Sequence, residues 1–120
     1  MDINVNVFVG MVFESIENVD NNKLIFKTTH GKTYKMHHYQ DCCEDVYIED
    51  IVGDLSDLIG SPILLAEEAT NHLNMKEHSE SATWTFYKFS TIKGSVTIRW
   101  YGESNGYYSE AVYIEELESE

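Results

Sequence analysis

The stretch that decides the fold is Ala82 to Glu116, which reads ATWTFYKFSTIKGSVTIRWYGESNGYYSEAVYIEE. Three runs of β-branched and aromatic residues are separated by two turn signals, Lys93-Gly94 and Asn105-Gly106. Asn-Gly between alternating runs is typical of a hairpin, because both central residues of a type I′ turn need positive φ. We therefore predict a three-stranded antiparallel meander in this part of the chain.

The rest of the chain adds strands and little helix. Apolar residues alternate from Ile3 to Phe13, a pattern typical of one long strand. Further strands are predicted at 24–28, 32–38, 46–51 and 63–66, with turns between them.

One short helix is expected after Gly53. Asp54 is a plausible N-cap, Leu55, Leu58 and Ile59 share a helical face, and Gly60 suits the left-handed position that ends a helix. Residues 69–81 show little periodicity, so they predict a loop or a second helix. The expected fold is a mainly β (α+β) single domain, 1–120, with antiparallel meanders forming a curved sheet, sandwich or incomplete barrel and one or two short helices.

Charge is the most unusual global property. The chain of 120 residues has a net charge of −13, and residues 41–80 hold eleven acids against one lysine. Such a surface repels nucleic acid and anionic membranes and attracts basic partners, although solubility alone would also explain it. No apolar run is long enough to span a membrane and no signal peptide is evident, so a cytoplasmic protein is expected.

The meander has two faces if both turns are two-residue loops. Lys88 would then face Arg99, and Tyr101 would face Glu110. One face is predicted to be core and holds Tyr87, Phe89, Ile98, Trp100, Ala111 and Tyr113. The other holds Trp84, Phe86, Lys88, Arg99, Tyr101, Tyr108 and Glu110.

The second face is the candidate ligand-binding site. Aromatic rings beside cations suit a phosphate attached to a base or a ribose. The predicted ligand-binding residues are Arg99, Lys88, Trp84, Phe86, Tyr101, Asn105 and Tyr108. The alternative is structural: Lys88 and Arg99 would pair with Glu110, and the rings would pack on another subunit or a helix.

The string His38-Tyr39-Gln40-Asp41-Cys42-Cys43-Glu44 contains ligand types for metals and a possible cysteine nucleophile. Adjacent cysteines cannot easily reach one tetrahedral ion, and a base so close in sequence rarely has the geometry to activate a thiol. We therefore interpret it as a structural turn. Asp41 would cap backbone N–H groups, Cys42 and Cys43 would be small buried thiols without a disulfide framework, and His38 would be hydrogen-bonded. No catalytic residue, metal or cofactor is assigned.

Two strings carry a resemblance. The motif HxQDCCE at 38–44, with its continuation to Glu68, and the segment Trp84 to Val112 with RWYGESNGYY resemble a family of small phage-encoded proteins known mainly as a domain of unknown function. The resemblance implies a phage origin and action in the cytoplasm of the host cell. It supplies no catalytic residue.

The leading functional hypothesis is a non-catalytic phage accessory protein that counters bacterial defence. It would sequester a nucleotide-derived signal of the cyclic ADP-ribose type, since the Arg99 face is similar in kind to that of anti-Thoeris sponges. One alternative is an acidic, anti-CRISPR-like inhibitor of a basic, nucleic-acid-binding host protein. Another is a small metal-binding structural protein. A homo-oligomer is also expected, because two aromatic sheet faces are hard to cover with one short helix.

Overall fold

A computed structural model describes residues 2–75 and 80–117, with the side chains of residues 74 and 75 excepted. The described chain forms two four-stranded antiparallel sheets. Sheet I has the order β1-β2-β3-β8 and consists of Phe13–Val19, Lys23–Thr28, Thr33–His37 and Tyr113–Leu117. Sheet II has the order β4-β7-β6-β5 and consists of Asp45–Val52, Gly94–Ser104, Glu80–Thr91 and Leu65–Met75. The mainly β prediction is confirmed, and the arrangement is an open sandwich.

The inner faces of the two sheets share one hydrophobic core. Phe26 and Met36 from sheet I and Phe89 and Trp100 from sheet II are almost completely buried in it. The Trp100 indole N–H donates to Met36 Sδ across the core at 3.3 Å, so this ring is satisfied where it is buried. The predicted core face of β6 and β7 is therefore confirmed for Tyr87, Phe89, Ile98 and Trp100.

The long strand predicted at Ile3–Phe13 is wrong. Val5–Phe8 forms a 3-10 helix, and β1 begins only at Phe13. The Asn4 side chain accepts the backbone N–H of Asn6 at 3.0 Å, which offers the chain a local alternative to a strand. Gly10 then takes a left-handed φ of 91°, which ends the segment. The Phe8 ring packs against Phe26 and Phe89 in the core.

The next predicted elements agree with the structure. The turn after β1 has positive φ at Asp20 and Asn21, and β2 and β3 lie where expected. Asp54 caps a helix as predicted, accepting the N–H of Ser56, although the helix is a single 3-10 turn, Leu55–Leu58. The prediction of a loop or helix at 69–81 is wrong for 69–75, which belong to β5, and for 80–81, which begin β6; residues 76–79 lie outside the described part of the chain.

The hairpin register differs from the prediction by two residues. Ile92 and Lys93 form the loop between β6 and β7, so Phe86 lies opposite Arg99 and Trp84 opposite Tyr101. Because a shift of two preserves which side chains share a face, both predicted faces of this strand pair survive.

The third strand of the meander is absent from sheet II. Asn105-Gly106 is a turn, with Gly106 at φ 92°, but the chain then crosses to sheet I, where β8 pairs with β3. β4 takes the place beside β7. Glu110 anchors the crossing segment: its buried carboxylate accepts hydrogen bonds from Ser81, Thr83 and Ser104. The predicted pairing of Tyr101 with Glu110 is therefore wrong.

Within the described residues, no helix has the length and apolar character needed to cross a bilayer.

Candidate functional site

The outer face of sheet II carries the aromatic residues predicted to bind a ligand. Trp84 and Phe86 on β6 and Tyr101 on β7 lie half-buried on this face, joined by Tyr47 of β4. Ring centroids are 5.1 Å apart for Trp84 and Tyr101 and 5.8 Å apart for Tyr47 and Tyr101. Three rings therefore form a continuous row across three strands, with Phe86 in the next row beside Arg99. We call these residues and the charged side chains around them the sheet II face.

Arg99 is engaged by carboxylates of the neighbouring strand. Its Nε donates to Glu49 Oε1 at 2.7 Å, and its Nη2 lies 3.8 Å from Asp50 Oδ2. A register irregularity between Ile48 and Asp50 lets two consecutive acids approach the same guanidinium. The structural alternative foresaw pairing of Arg99 with Glu110, and the acids that pair with it are instead Glu49 and Asp50.

The remaining charges make the sheet II face acidic. Lys88 is exposed and lies directly across from Glu67, and Glu103 lies across from Asp45. Like charges directly opposite on a sheet are unfavourable unless a cation lies between them. The acids of the face are Asp45, Glu49, Asp50, Glu67 and Glu103, against the two cations Lys88 and Arg99.

An acidic cleft of about 470 Å³ continues the face at one end. Its walls include Cys42, Cys43, Asp45, Glu103, Asn105 and Tyr108. Asn105 and Tyr108 were predicted beside Arg99, and the crossing of the chain to sheet I places them in this cleft. The Asn105 side chain accepts the N–H of Tyr107 at 3.0 Å, so it also braces its own turn.

Tyr101 and Glu103 link the aromatic row to the acidic cleft. The Tyr101 hydroxyl donates to Glu103 Oε2 at 2.9 Å. Burial, the hydrogen bond to Glu103 and its negative charge raise the pKa of Tyr101 to about 12. The phenol is therefore neutral at neutral pH, and its hydrogen bond keeps the Glu103 side chain beside the rings.

The corner His38–Glu44 is closed on itself. The Glu44 carboxylate is buried and accepts the backbone N–H groups of Asp41 and Cys42, both at 2.9 Å. The Gln40 amide donates to the Glu44 carbonyl at 2.7 Å. Glu44, rather than Asp41 as predicted, accepts the backbone groups of this turn.

Both ring nitrogens of His38 face acceptors. Nδ1 lies 2.7 Å from the carbonyl oxygen of Ala111, and Nε2 lies 2.8 Å from Glu44 Oε2. A carbonyl oxygen only accepts, so Nδ1 donates to Ala111. The Cys42 N–H, the His38 ring and the Asp41 N–H together hold the pKa of Glu44 at about 2, against burial that raises it. His38 and Glu44 are thus a buried hydrogen-bonded pair that ties the corner to the crossing segment.

Cys42 and Cys43 differ from the prediction of small buried thiols. Both residues are exposed, and their sulfur atoms are joined in a disulfide with an S–S distance of 2.14 Å. Since the hydrogen bonds to Glu44 hold the turn, the cysteines are free to line the acidic cleft.

Metal-ligand geometry is not found in the described residues. No group of three or more His, Cys, Asp or Glu side chains within 2–75 and 80–117 is arranged to hold an ion.

Three residues of this region were missed at the level of sequence. Tyr47 and Glu49 belong to β4, which was predicted too short and without a partner. Their alternation with Val46 and Ile48 was a usable signal for an outward face. Glu44 could not be singled out, because nothing local distinguishes the acid that turns inward.

Comparison with known proteins places the chain in a family but gives no activity. No curated protein matches it, and no solved structure does. A family model described as "Domain of unknown function (DUF7448)" matches residues 6–114, which include both sheets except the end of β8. The chain therefore belongs to the DUF7448 family.

Proposed function

We propose that the protein is a non-catalytic binding protein whose sheet II face and acidic cleft bind a basic segment of a partner protein. The observation that carries this proposal is the row Tyr47–Tyr101–Trp84, which ends at an acidic cleft. Arginine and lysine side chains stack on aromatic faces and pair with carboxylates, so one surface satisfies both requirements. The facing carboxylates of Asp45 and Glu103 are a natural place for such a side chain.

The nature of the partner follows from the charge of the chain. A net charge of −13 repels nucleic acid at long range and attracts basic proteins, many of which bind nucleic acid themselves. The proposal is therefore an accessory protein of phage origin that acts in the host cytoplasm and inhibits a basic, nucleic-acid-binding host protein.

Sequestration of a cyclic ADP-ribose type signal on the same face is the second candidate, supported by its half-buried rings. It requires Arg99 to exchange Glu49 and Asp50 for a phosphate. This exchange has a cost, because it leaves two carboxylates beside the bound anion. A homo-oligomer stays a prediction; the inner faces of the sheets now cover each other, which removes the main reason for expecting one.

Isothermal titration tests the proposal with two probes, an oligo-arginine peptide and a cyclic ADP-ribose isomer. We expect the peptide to bind, with an affinity that falls as salt is raised. The double variant Asp45→Asn/Glu103→Gln should weaken it about tenfold or more, because the paired acids are removed.

A matched control carries Glu14→Gln/Glu17→Gln, two exposed acids of β1 whose removal changes the net charge equally. Equal weakening in both double variants would mean that the peptide senses net charge alone and would refute the site. Tight binding of the nucleotide, lost in Arg99→Ala, would favour the second candidate.

A further inference from the structure

A second cleft, of about 330 Å³, lies on the opposite sheet and has the opposite charge. It is lined by Val19, Asp20 and Asn22 of the β1–β2 turn and by Lys23, Lys35 and His37 of the adjoining strands. His38 contributes to the lining. We call it the basic cleft. It shares none of its lining residues with the acidic cleft.

Register places the three basic side chains of this cleft around one point. Lys23 lies directly opposite His37 on the paired strands β2 and β3. Lys35 precedes His37 by two residues on the same strand, so it projects from the same outer face. All four lysines of residues 1–40 lie on or beside these two strands.

Neither lysine of the basic cleft forms an ion pair with a described residue, although Glu115 lies directly opposite Lys35 on the paired strands β3 and β8. Among residues 2–75 and 80–117, no ion pair involves Lys23 or Lys35, whereas Lys32 pairs with Glu116 at 3.5 Å. Burial lowers the pKa of His37, and the positive charge of Lys35 lowers it further. The opposing charges are Asp20 in the lining and Glu115, whose Oε1 lies 3.0 Å from His37 Nε2.

Aromatic rings adjoin the cleft. The rings of Tyr39 and His37 meet edge to face, with centroids 4.5 Å apart. The Tyr39 ring also packs against Tyr113, with centroids 5.1 Å apart. Tyr39 is 52% exposed, so a planar group can reach it from solvent. The Tyr39 hydroxyl donates to Glu115 Oε2 at 2.6 Å, which holds the ring in place beside the cleft.

We infer that the basic cleft binds the phosphate of a mononucleotide, with Lys23 and Lys35 contacting the phosphate and Tyr39 stacking on the base. Two ammonium groups that form no ion pair with a described residue supply the charge that a phosphate requires, and an exposed ring beside them supplies a stacking surface. The volume suits one phosphate and its sugar rather than a polynucleotide, which the acidic remainder of the chain repels. This site shares no lining residue with the acidic cleft, so it is tested separately from the proposed binding of a basic partner.

Titration with AMP, followed by backbone amide shifts in ¹H–¹⁵N spectra, tests the inference. We expect the signals of the β1–β2 turn and of residues 35–39 to move, with a Kd of about 1 mM or tighter. Lys35→Ala and Lys23→Ala should each weaken binding about tenfold or more. Lys27→Ala is the matched control, since Lys27 is on the same strand and face as Lys23 but outside the cleft.

Two further arms make the result decisive. Inorganic phosphate should compete with AMP but bind more weakly, and Tyr39→Ala should bring the AMP affinity down to that of phosphate. Equal loss in Lys27→Ala and Lys35→Ala, shifts elsewhere in the protein, or no shift at millimolar AMP would overturn the site. Equal affinities for AMP and phosphate in the unmodified protein would overturn the assignment to nucleotides.

Discussion

The His38–Glu44 corner and the sheet II face contrast in how their polar groups are used. In the corner, the buried Glu44 carboxylate is hydrogen-bonded to the His38 imidazole and to two backbone N–H groups, and the other ring nitrogen of His38 bonds to a carbonyl oxygen. On the sheet II face, rings and carboxylates remain open to solvent, and Asp45 and Glu103 stand opposite each other without a cation between them. The His38–Glu44 pair is used up in holding the fold, whereas the Asp45 and Glu103 carboxylates of the face can still accept from a partner.

The difference shows how a conspicuous motif can be structural while ordinary strands carry the site. Histidine, aspartate and two cysteines in seven residues look like chemistry, yet the His38 ring bonds to Glu44 and to the Ala111 carbonyl, and the backbone N–H groups of the turn bond to Glu44. The face looks like routine alternation, and its potential appears only when β4 is placed beside β7.

His38→Ala should have the largest effect on stability. It leaves Glu44 as a buried charge without its partner and the Ala111 carbonyl without its donor, which costs about 3 kcal/mol. Urea denaturation measures this as a lower midpoint with an unchanged slope. Asp45→Asn on the sheet II face should stay within about 0.5 kcal/mol of the unmodified protein. If the two variants are equally stable, the contrast between the regions is wrong.

Acid should weaken the corner selectively. The pKa of Glu44 in the folded protein, about 2, lies below its value in an unfolded chain, about 4.3. A carboxyl with a lowered folded pKa contributes stability above its unfolded pKa, and this contribution is lost as pH falls towards 2. Glu115 and Asp54, whose pKa values are also lowered, act in the same direction.

Urea midpoints measured from pH 7 down to pH 3 test this effect. Glu44→Gln removes the titrating group and should therefore show a flatter decline than the unmodified protein. The same slope in both proteins would show that Glu44 does not dominate the acid response.

Gly102→Ala should cost a smaller amount, about 1–3 kcal/mol. A Cβ at this position would lie 2.9 Å from Glu110 Cβ and 3.2 Å from the Glu110 carbonyl oxygen, in a place where the crossing segment touches β7. Urea denaturation measures the loss of stability. Gly106→Ala is a comparison in which the added Cβ meets no atom and only the positive φ of the residue is strained. A stable Gly102→Ala protein would mean that the segment 105–112 packs more loosely than the structure indicates.

Cys42→Ser/Cys43→Ser should change stability least, by less than about 0.5 kcal/mol. A disulfide between neighbours closes no chain loop, so it removes little entropy from the unfolded state. Denaturation of the double variant, and of the unmodified protein with reductant, should give the same midpoint. A drop comparable to that of His38→Ala would show that the disulfide, rather than Glu44, holds the corner.

Local patterns predicted most of the secondary structure. The turns at 20–22 and 31, the cap at Asp54 and the faces of β6 and β7 follow from φ preferences and from period-two alternation, which act over a few residues. The strand prediction for Ile3–Phe13 is wrong because the same alternation of apolar residues is compatible with a 3-10 helix that buries Val5 and Phe8.

Long-range pairing explains the remaining misses. No local pattern predicts that the chain leaves sheet II after Asn105-Gly106. The crossing is stabilised by long-range hydrogen bonds, in which the Glu110 carboxylate accepts from three hydroxyls on β6 and β7. The partners of Arg99 depend on β4 in the same way. The basic cleft could not be predicted from the lysines spread over residues 1–40, because it depends on the pairing of β2 with β3, which places Lys23 opposite His37.

The two tryptophan indole N–H signals test the central claim, that the sheet II face binds a basic partner. Trp100 is buried and bonded to Met36, so its signal is an internal reference, whereas Trp84 lies half-buried in the aromatic row. During titration with an oligo-arginine peptide, we predict that the Trp84 signal moves and saturates while the Trp100 signal stays. An unmoved Trp84 signal while the peptide binds would contradict the account.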